Sequence, residues 1–319
     1  MKVLITGITG NVGSHLADYI IENKPEVDLY GIARWRSPLE NIDHIKEKIK
    51  LELADLNDLN SMIKAIKTIK PDLVFHLAAQ SFVQFSFNAP AETLNTNIIG
   101  TANLLEAIRL VGITPKIHIC SSSEVYGQVK KDEVPIKETN PFRPASPYAV
   151  SKVAEDMLGY QYYLSYDMHI VRTRMFTHTG PRRGDVFAES WFAKQIALVE
   201  KKLIPNPIKV GNLNSIRTIM DVRDAVKAYW VMMEKSPPGE VYNIGGEATV
   251  TIEEILTNLI QYSKSTIKYE TDPNLLRPSD VTLQIPSTDK FKELTGWKPQ
   301  INYEKTLLDL LNYHRAKIK

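Results

Sequence analysis

The chain reads TGITGNVG from Thr6 to Gly13, directly after its first β-branched run. Glycines, which lack a Cβ, permit a tight turn and a close approach of the backbone to a pyrophosphate, and the helical pattern that follows supplies free amides at its N-terminus. The stretch therefore predicts dinucleotide binding at the first strand-to-helix turn, with a structural glycine-rich turn as the alternative. The predicted contacts are Thr6, Gly7, Gly10, Asn11, Val12 and Gly13.

Short β-branched runs alternate with longer helical patterns through the first 175 residues. The predicted strands cover residues 3–6, 29–33, 73–77, 117–121 and 169–172, and the predicted helices cover residues 12–23, 59–68, 90–110 and 147–163. Such alternation builds βαβ units, in which each helix connects two parallel strands. We therefore predict an α/β fold with a doubly wound parallel sheet of the Rossmann type.

The alternation ends after residue 175. A Pro, Gly and Arg-rich stretch at 179–184 precedes a predicted helix at 188–201, a strand at 208–210, a helix capped by Thr251 and a last helix at 303–314. We predict a dinucleotide-binding domain from residues 1–175 plus roughly 218–246, and a smaller C-terminal α/β substrate-binding region from residues 176–217 and 247–319.

Composition excludes several classes of function. The chain has 319 residues, 43% of them hydrophobic, and a formal net charge of +2, far from the basic excess of a dedicated nucleic-acid binder. The single cysteine, Cys120, cannot form an internal disulfide. No apolar run approaches the roughly 18 residues of a membrane span. We expect a cytoplasmic protein that binds neither nucleic acid nor membrane, and, since no ligand cluster is evident, no metal cofactor.

The end of the second predicted strand, residues 31–37, indicates which cofactor is bound. It lacks the Asp or Glu that would bond the ribose 2′-hydroxyl of NAD, and it carries Arg34 and Arg36 instead. Guanidinium groups suit a 2′-phosphate, so we predict NADP, with NAD as the alternative. A solvated basic loop or a subunit contact would also explain the two arginines. Asp55 and Leu56 follow a predicted third strand and either meet the adenine or form a surface turn.

Ser146 and Pro147 begin a helix on which Tyr148 and Lys152 share a face. At this spacing the lysine ammonium can lie near the phenol and favour its ionised form, so Tyr148 could accept or return a hydroxyl proton. The same pattern also occurs by chance on ordinary amphipathic helices. A third element, residues 121–127, stands at the carboxyl end of a predicted strand, where ligands bind in open α/β sheets.

With these elements the chain resembles the extended short-chain dehydrogenases/reductases, the group of nucleotide-sugar epimerases, dehydratases and reductases. The resemblance covers essentially the whole chain and rests on residues 6–13, 76–80, 95–101, 121–127 and 148–152, in the family's order. It implies that Leu77, Ala78 and Ala79 contact the cofactor. It also implies that Ser122 bonds the sugar 4-hydroxyl, that Tyr148 is the base for that hydroxyl, and that Lys152 orients the nicotinamide ribose.

The same resemblance implies a catalytic role for Glu124. In sugar 4,6-dehydratases the acidic residue at this place removes the C5 proton after C4 is oxidised, and a carboxylate is chemically suited to that transfer. The alternatives are a structural carboxylate bonded to nearby backbone and a reductase, since reductases of the same pathway can also carry an acid here. His178 could be read as a catalytic acid, but a lone histidine beside a Gly-Pro turn is more often a structural hydrogen-bonding residue.

Similarity is greatest to enzymes that act on GDP-mannose and its 6-deoxy products. Residues 31–37, 42–44, 80–83 and 180–184 look like GDP-mannose 4,6-dehydratase, whereas residues 192–196, 209–213, 277–280 and 296–299 look like GDP-4-keto-6-deoxymannose reductase. A GDP-sugar substrate is implied, with contacts from Ser81, Ser123, Thr177, Arg183, Lys194, Arg217 and Arg277. Thr177 stands where the family usually has Asn, and Arg217 lacks the usual following Asp, so the sugar preference is open.

We predict a 4,6-dehydratase that converts GDP-mannose to GDP-4-keto-6-deoxymannose by internal hydride transfer through bound NADP. The alternatives are a GDP-4-keto-6-deoxymannose reductase, a C4 epimerase and, disfavoured by the presence of Ser122, Tyr148 and Lys152, a non-enzymatic dinucleotide-binding protein. Helices 90–110 and 147–163 correspond to the pair that family members use for a two-fold interface. We therefore expect a homodimer or a dimer of dimers.

Overall fold

A computed structural model describes residues 1–318. Its strands, in chain order, are β1 Lys2–Thr6, β2 Asp28–Ala33, β3 Lys50–Leu53, β4 Leu73–His76, β5 Lys116–Ser122, β6 Ile170–Met175, β7 His178–Thr179, β8 Ile208–Val210, β9 Ile216–Asp221, β10 Val241–Ile244, β11 Ala248–Thr251, β12 Tyr269–Thr271 and β13 Leu283–Gln284. The main sheet has the order β10-β6-β5-β4-β1-β2-β3 and is parallel throughout. The predicted α/β class and doubly wound parallel sheet are confirmed.

The α-helices, in chain order, are α1 Asn11–Asn23, α2 Leu59–Ile69, α3 Val83–Asn88, α4 Pro90–Leu94, α5 Gly100–Val111, α6 Pro147–Tyr166, α7 Ala188–Glu200, α8 Val222–Lys235, α9 Ile252–Gln261, α10 Asp289–Thr295 and α11 Tyr303–Lys317. Among residues 1–318, no helix is both long and apolar enough to cross a bilayer.

Both faces of the main sheet are covered, which is why its central strands are apolar at nearly every position. Alternate residues point to opposite faces: Val3 and Ile5 pack with α1 and α8, while Leu4 packs with α2 and α5. The side chains of Thr6 and His76 are also buried here, joined by a hydrogen bond of 2.8 Å between Thr6 Oγ1 and His76 Nδ1. The carboxyl ends of these strands form one edge, above which the candidate site lies.

The predicted helix over residues 90–110 is wrong in one respect. It is two helices, α4 and α5, joined by a π-helical turn at Asn95–Ile99. The turn directs Asn97 inward, where its amide bonds the backbone of Gln80 and the hydroxyl of Ser151. Side-chain periodicity alone could not reveal this break, since apolar residues continue on both sides of it.

The smaller region is built on β9, which pairs with β11, β13 and β7. Helices α7, α9 and α11 form its core with Phe192, Ile196, Leu256 and Leu310. Thr251 caps α9 by accepting from the amide of Glu254, whose carboxylate accepts from the Thr251 amide, so this predicted helix start is confirmed. Strand β10 returns the chain to the main sheet beside β6.

Candidate active site

A cleft of about 740 Å³ lies between the carboxyl edge of the main sheet and the smaller region. Residues from both parts of the chain line it, from Gly7 in the first turn to Asp280 near the C-terminus. Pockets at the carboxyl ends of parallel strands are the usual ligand sites of open α/β sheets.

The first turn is shaped for a phosphate group. Gly7 has φ +72°, and a Cβ there would lie 2.8 Å from the Cα of Ala78. A Cβ on Gly13 would lie 2.2 Å from the carbonyl oxygen of Gly7. Both side-chain amide atoms of Asn11, at the start of α1, are buried without a partner among residues 1–318. The turn, the helix N-terminus and this unpartnered amide together fit a dinucleotide pyrophosphate.

Most of the predicted cofactor contacts line the cleft. They are Gly7, Gly10, Asn11, Val12, Gly13, Arg34, Asp55, Leu56, Leu77, Ala78, Ala79, Tyr148 and Lys152. Thr6 lies below the surface instead, where its hydroxyl accepts from the amides of Leu77 and Ala78 at 3.2 Å. Thr6 therefore shapes the turn after β4.

The two predicted 2′-phosphate arginines differ in position. Arg34 lines the cleft, and its amide donates to the hydroxyl of Ser37 at 3.1 Å. Arg36 is outside the cleft and stacks on Trp35, with 4.4 Å from the guanidinium carbon to the ring centroid. Trp35 itself is 75% exposed. Only Arg34 is placed to meet a ligand in the cleft.

Sequence reasoning missed Arg182 as a lining residue. It lies in the loop after β7, yet its guanidinium contacts Asp18 on α1 at 2.7 Å and the hydroxyl of Ser14 at 3.2 Å. Beside it, the ring Nε2 of His15 donates to the Pro181 carbonyl at 2.9 Å. No local pattern in the sequence indicates a contact between segments so far apart along the chain.

The first turn of α6 places Tyr148 in the cleft. Ser146 caps the helix by accepting from the amide of Ala149 at 3.0 Å, and Pro147 occupies its first turn. Tyr148 is buried, and burial raises the pKa of its phenol. The charge of Lys152 and a hydrogen bond with Ser122 act in the opposite direction. The predicted pair of Tyr148 and Lys152 is thus brought together with Ser122.

The ammonium of Lys152 is held by two oxygen atoms. It donates to the Cys120 carbonyl at 3.0 Å and to Glu155 Oε2 at 2.8 Å. Burial alone would lower the pKa of Lys152, but the Glu155 carboxylate raises it above the ordinary value. Lys152 is therefore charged at neutral pH, and its charge lies close to the phenol.

Glu124 projects from a 3₁₀ turn, Ser123–Tyr126, at the end of β5. The hydroxyl of Ser122 accepts from the Glu124 amide at 3.2 Å and so fixes the start of this turn. The Glu124 carboxylate lines the cleft and forms no hydrogen bond within residues 1–318. Burial raises its pKa, while the charges of Arg217 and Arg277 oppose the increase. Such a carboxylate suits proton transfer.

Two of the predicted substrate arginines lie near Glu124. Arg217 is buried, donates to the Val281 carbonyl at 2.5 Å and lies 3.8 Å from Asp280. Arg277 lies 3.5 Å from the same carboxylate. Both guanidinium groups line the cleft, where they can donate charge-assisted hydrogen bonds to an anionic ligand. Asn212, bonded to Asp280 at 2.8 Å, lines the cleft here and was not predicted.

Of the other predicted substrate contacts, Ser81, Ser123, Thr177 and Arg183 line the cleft. Lys194 on α7 does not line the cleft, and its ammonium pairs with Asp185, which precedes that helix. His178 donates from Nδ1 to the Phe176 carbonyl at 3.1 Å. Burial lowers the pKa of its imidazole to about 4, so the ring is neutral at pH 7, and its one N–H is used in the hydrogen bond to Phe176.

Fold and site together define an NAD(P)-dependent enzyme of the extended short-chain dehydrogenase/reductase type. The chain belongs to the GDP-mannose 4,6-dehydratase family, whose model matches residues 4–310.

Named relatives fall into two groups. GDP-mannose 4,6-dehydratase of Yersinia enterocolitica is 33% identical, over 97% of this chain and 92% of the relative. GDP-6-deoxy-D-mannose reductase of Pseudomonas aeruginosa is 30% identical, over 100% of this chain and 98% of the relative. Among solved structures, RMD from Pseudomonas aeruginosa complexed with NADPH superposes with a TM-score of 0.85 at 28% identity, covering 99% of both chains.

Proposed function

We propose that this protein is a GDP-mannose 4,6-dehydratase that uses tightly bound NADP. The observation that carries the proposal is Glu124, a cleft carboxylate with a raised pKa and no hydrogen-bond partner in residues 1–318. A dehydratase needs a group that removes the C5 proton of the sugar, and a reductase of a 4-keto sugar does not. Membership of the dehydratase family supports the same assignment.

The bound nicotinamide supplies hydride acceptance and return, so the reaction has no net oxidation. The chain's own residues position the sugar and move its protons. Tyr148 accepts the proton of the 4-hydroxyl, Ser122 bonds the oxygen of that hydroxyl, and Lys152 holds the phenolate form of Tyr148. Glu124 then takes the C5 proton and gives it to the departing 6-hydroxyl, so that water leaves and a C5–C6 double bond forms. When hydride is returned to C6, Tyr148 gives the proton that it took from the 4-hydroxyl to C5, and both side chains regain their starting states.

The two guanidinium groups at one end of the cleft support a nucleoside diphosphate sugar as substrate. Arg217 and Arg277 are proposed to contact the diphosphate by charge-assisted hydrogen bonds, and Arg183 to contact the sugar end. Arg183 is itself oriented by Glu189 at 3.2 Å and by the Phe187 ring. Thr177 lines the cleft with a hydroxyl and a methyl group where the family usually has an amide, so its contact with the sugar differs in kind. We propose NADP over NAD because Arg34 lines the cleft where a 2′-phosphate would lie.

The test is mass spectrometry of GDP-mannose after incubation with the purified protein and NADP, with no reductant present. We expect a product lighter by about one water and no net NADPH, and the Tyr148→Phe variant serves as the inactive control. Unchanged GDP-mannose would overturn the proposal.

The reductase is the second candidate, because the reductase relative is covered over 98% of its length. It predicts that GDP-mannose is inert and that the 4-keto-6-deoxy sugar consumes NADPH mole for mole. The same protein preparation distinguishes the two candidates.

We also propose that the protein forms a homodimer through α5 and α6. Apolar side chains on α6 are exposed at helical spacing, namely Val150, Met157, Tyr160 and Leu164, the last 62% exposed. Ile99, the last residue of the π-helical turn before α5, is 50% exposed. An apolar stripe of this length is unusual on a monomer. A monomeric mass by light scattering at micromolar concentration would overturn this proposal.

The division into two domains remains a proposal as well. Its support is packing: α8 contributes Val226, Tyr229 and Trp230 to the core of the main sheet, whereas Phe192 and Leu256 belong to a separate core.

A further inference from the structure

Glu155 is a buried carboxylate for which the proposed reaction has no role. Its Oε2 lies 2.8 Å from the ammonium of Lys152, and its side chain is 1% exposed. The other oxygen, Oε1, is buried without a partner in residues 1–318. Burial raises the pKa of Glu155 to about 7, against the opposing charge of Lys152. A carboxylate so placed can change its charge in the range in which enzymes work.

Few other charges reach this place. The titratable groups that face Lys152 and Glu155 are Tyr148 and Asp156 on α6, Cys120 and His118 on β5 and His76 on β4. Tyr229 on α8 contacts Cys120 at 3.1 Å. Burial lowers the pKa of both histidines to about 3 and raises the pKa of Cys120 and Tyr229, so all four are neutral at pH 7. Asp156 is neutralised by Arg172 and Arg174, each at 2.7 Å.

Lys152 is therefore the one buried cation shared by two acids, Glu155 and Tyr148. A second negative charge in this low-dielectric site would lack a partner, which is costly. Ionisation of Tyr148 thus competes with ionisation of Glu155. While Glu155 is ionised, Tyr148 loses its proton to solvent only at a higher pH, because the phenolate would be a second negative charge beside the single ammonium of Lys152.

We propose that Glu155 is a positioning residue that holds Lys152 and sets the pH at which Tyr148 becomes a base. The inference rests on the proposed function, because it takes Tyr148 as the base. It goes beyond that function by assigning the pH control of the site to a residue that does not touch the substrate.

The test is Glu155→Gln, which keeps the size of the side chain and removes its charge. Tyrosinate absorbance of the NADP complex is titrated against pH, and the same titration of a Tyr148→Phe protein is subtracted. Without the competing carboxylate, we expect the midpoint for Tyr148 to fall by at least about 1 pH unit. The acidic limb of turnover should move by the same amount. A midpoint that is unmoved or raised overturns the proposal.

A purely structural carboxylate would lower stability and leave the midpoint in place. Asp224→Asn is the matched control, since Asp224 is a buried carboxylate that accepts from the amides of Gln300 and Ile301, away from the cleft. We expect it to lose stability with no change in midpoint. If Glu155→Gln does not fold, Glu155→Asp takes its place, with a smaller shift in the same direction expected, and an unmoved midpoint there overturns the proposal.

The absorbance titration needs cofactor but no sugar. If the Tyr148 midpoint shifts in Glu155→Gln but the wild-type protein does not turn over GDP-mannose, the proposed function is refuted and the role of Glu155 stands. If the wild-type protein turns over GDP-mannose but the midpoint is the same in both proteins, the proposed function stands and the role of Glu155 is refuted.

Discussion

The amide of Asn97 donates to the hydroxyl of Ser151 at 2.8 Å, and this bond ties the π-helical turn to the catalytic helix α6. Ser151 in turn donates to the carbonyl of Tyr148 at 2.7 Å. Asn97 also accepts from the amide of Gln80 and donates to its carbonyl, at 2.8 and 3.0 Å. One buried side chain thus fixes the loop after β4, which carries cofactor contacts, relative to the helix that carries Tyr148.

Asn97→Ala should destabilise the protein by about 2–4 kcal/mol, because it leaves several buried polar groups without partners. Chemical denaturation measures the change. Asn103→Ala is the control: Asn103 makes one bond, to the Leu56 carbonyl at 2.7 Å, and should cost about 1 kcal/mol. Equal losses in the two variants would contradict this account of Asn97.

Glu124→Gln should reduce the turnover of GDP-mannose by about 10²–10⁴-fold while the affinity for the sugar nucleotide changes little, since only proton transfer is removed. Turnover and equilibrium binding are measured on the same preparation. Glu47→Gln, an exposed change on the surface, is the control. Because burial raises the pKa of Glu124 and the base must be ionised, wild-type activity should decline as pH falls through a value above that of an ordinary glutamate.

The two arginines after β2 should differ in their effect on cofactor choice. Arg34→Ala should weaken NADP binding at least about tenfold and leave NAD binding nearly unchanged, because it removes charge-assisted bonds to a 2′-phosphate. Arg36→Ala should change neither, since Arg36 stacks on Trp35 outside the cleft. Fluorescence titration of both variants with both cofactors checks this. Equal losses for NADP and NAD in Arg34→Ala would argue against the 2′-phosphate role.

Gly13→Ala should reduce the affinity for NADP at least about tenfold, because its Cβ would meet the Gly7 carbonyl oxygen and push α1 away from the turn. Gly112→Asn serves as the comparison. Gly112 ends α5 with φ +74° and has open space around it, and Asn tolerates this conformation. Cofactor titration that finds Gly13→Ala as tight as wild type would refute the phosphate-binding turn.

Stability should decline as pH falls from 6.5 toward 4. Burial lowers the pKa of His76 and His118 to about 3 in the folded protein, while in the unfolded chain both take up a proton near pH 6.5. The unfolded state is therefore favoured below that pH, by up to about 1.4 kcal/mol per pH unit for each histidine. Urea unfolding across this range measures the slope. His118→Gln should reduce the slope, and an unchanged slope in that variant would contradict this account.

The parts of the site that lie within one local pattern could be predicted from the sequence. The turn at Gly7 and the helix with Tyr148 and Lys152 each depend on residues a few positions apart. The sequence also shows Glu155 three residues after Lys152 on that helix. Its proposed effect on Tyr148 depends on its burial, however, which residue spacing does not reveal. Arg182 and Asn212 reach the cleft through contacts with distant segments, which no local period records.

The order of the strands has a consequence for any attempt to exchange parts between relatives. Strand β10 is an edge of the main sheet, but it follows β9, the strand on which the smaller region is built. The chain therefore enters the smaller region, returns to the main sheet at β10, and then enters the smaller region a second time. A chimera joined at residue 175 would take α8 and β10 from the relative, so foreign side chains would have to pack against α1 and β6 inside the main domain. New sugar preferences are therefore easier to obtain by exchanging short loops around the cleft than by replacing everything after residue 175 with the sequence of a relative.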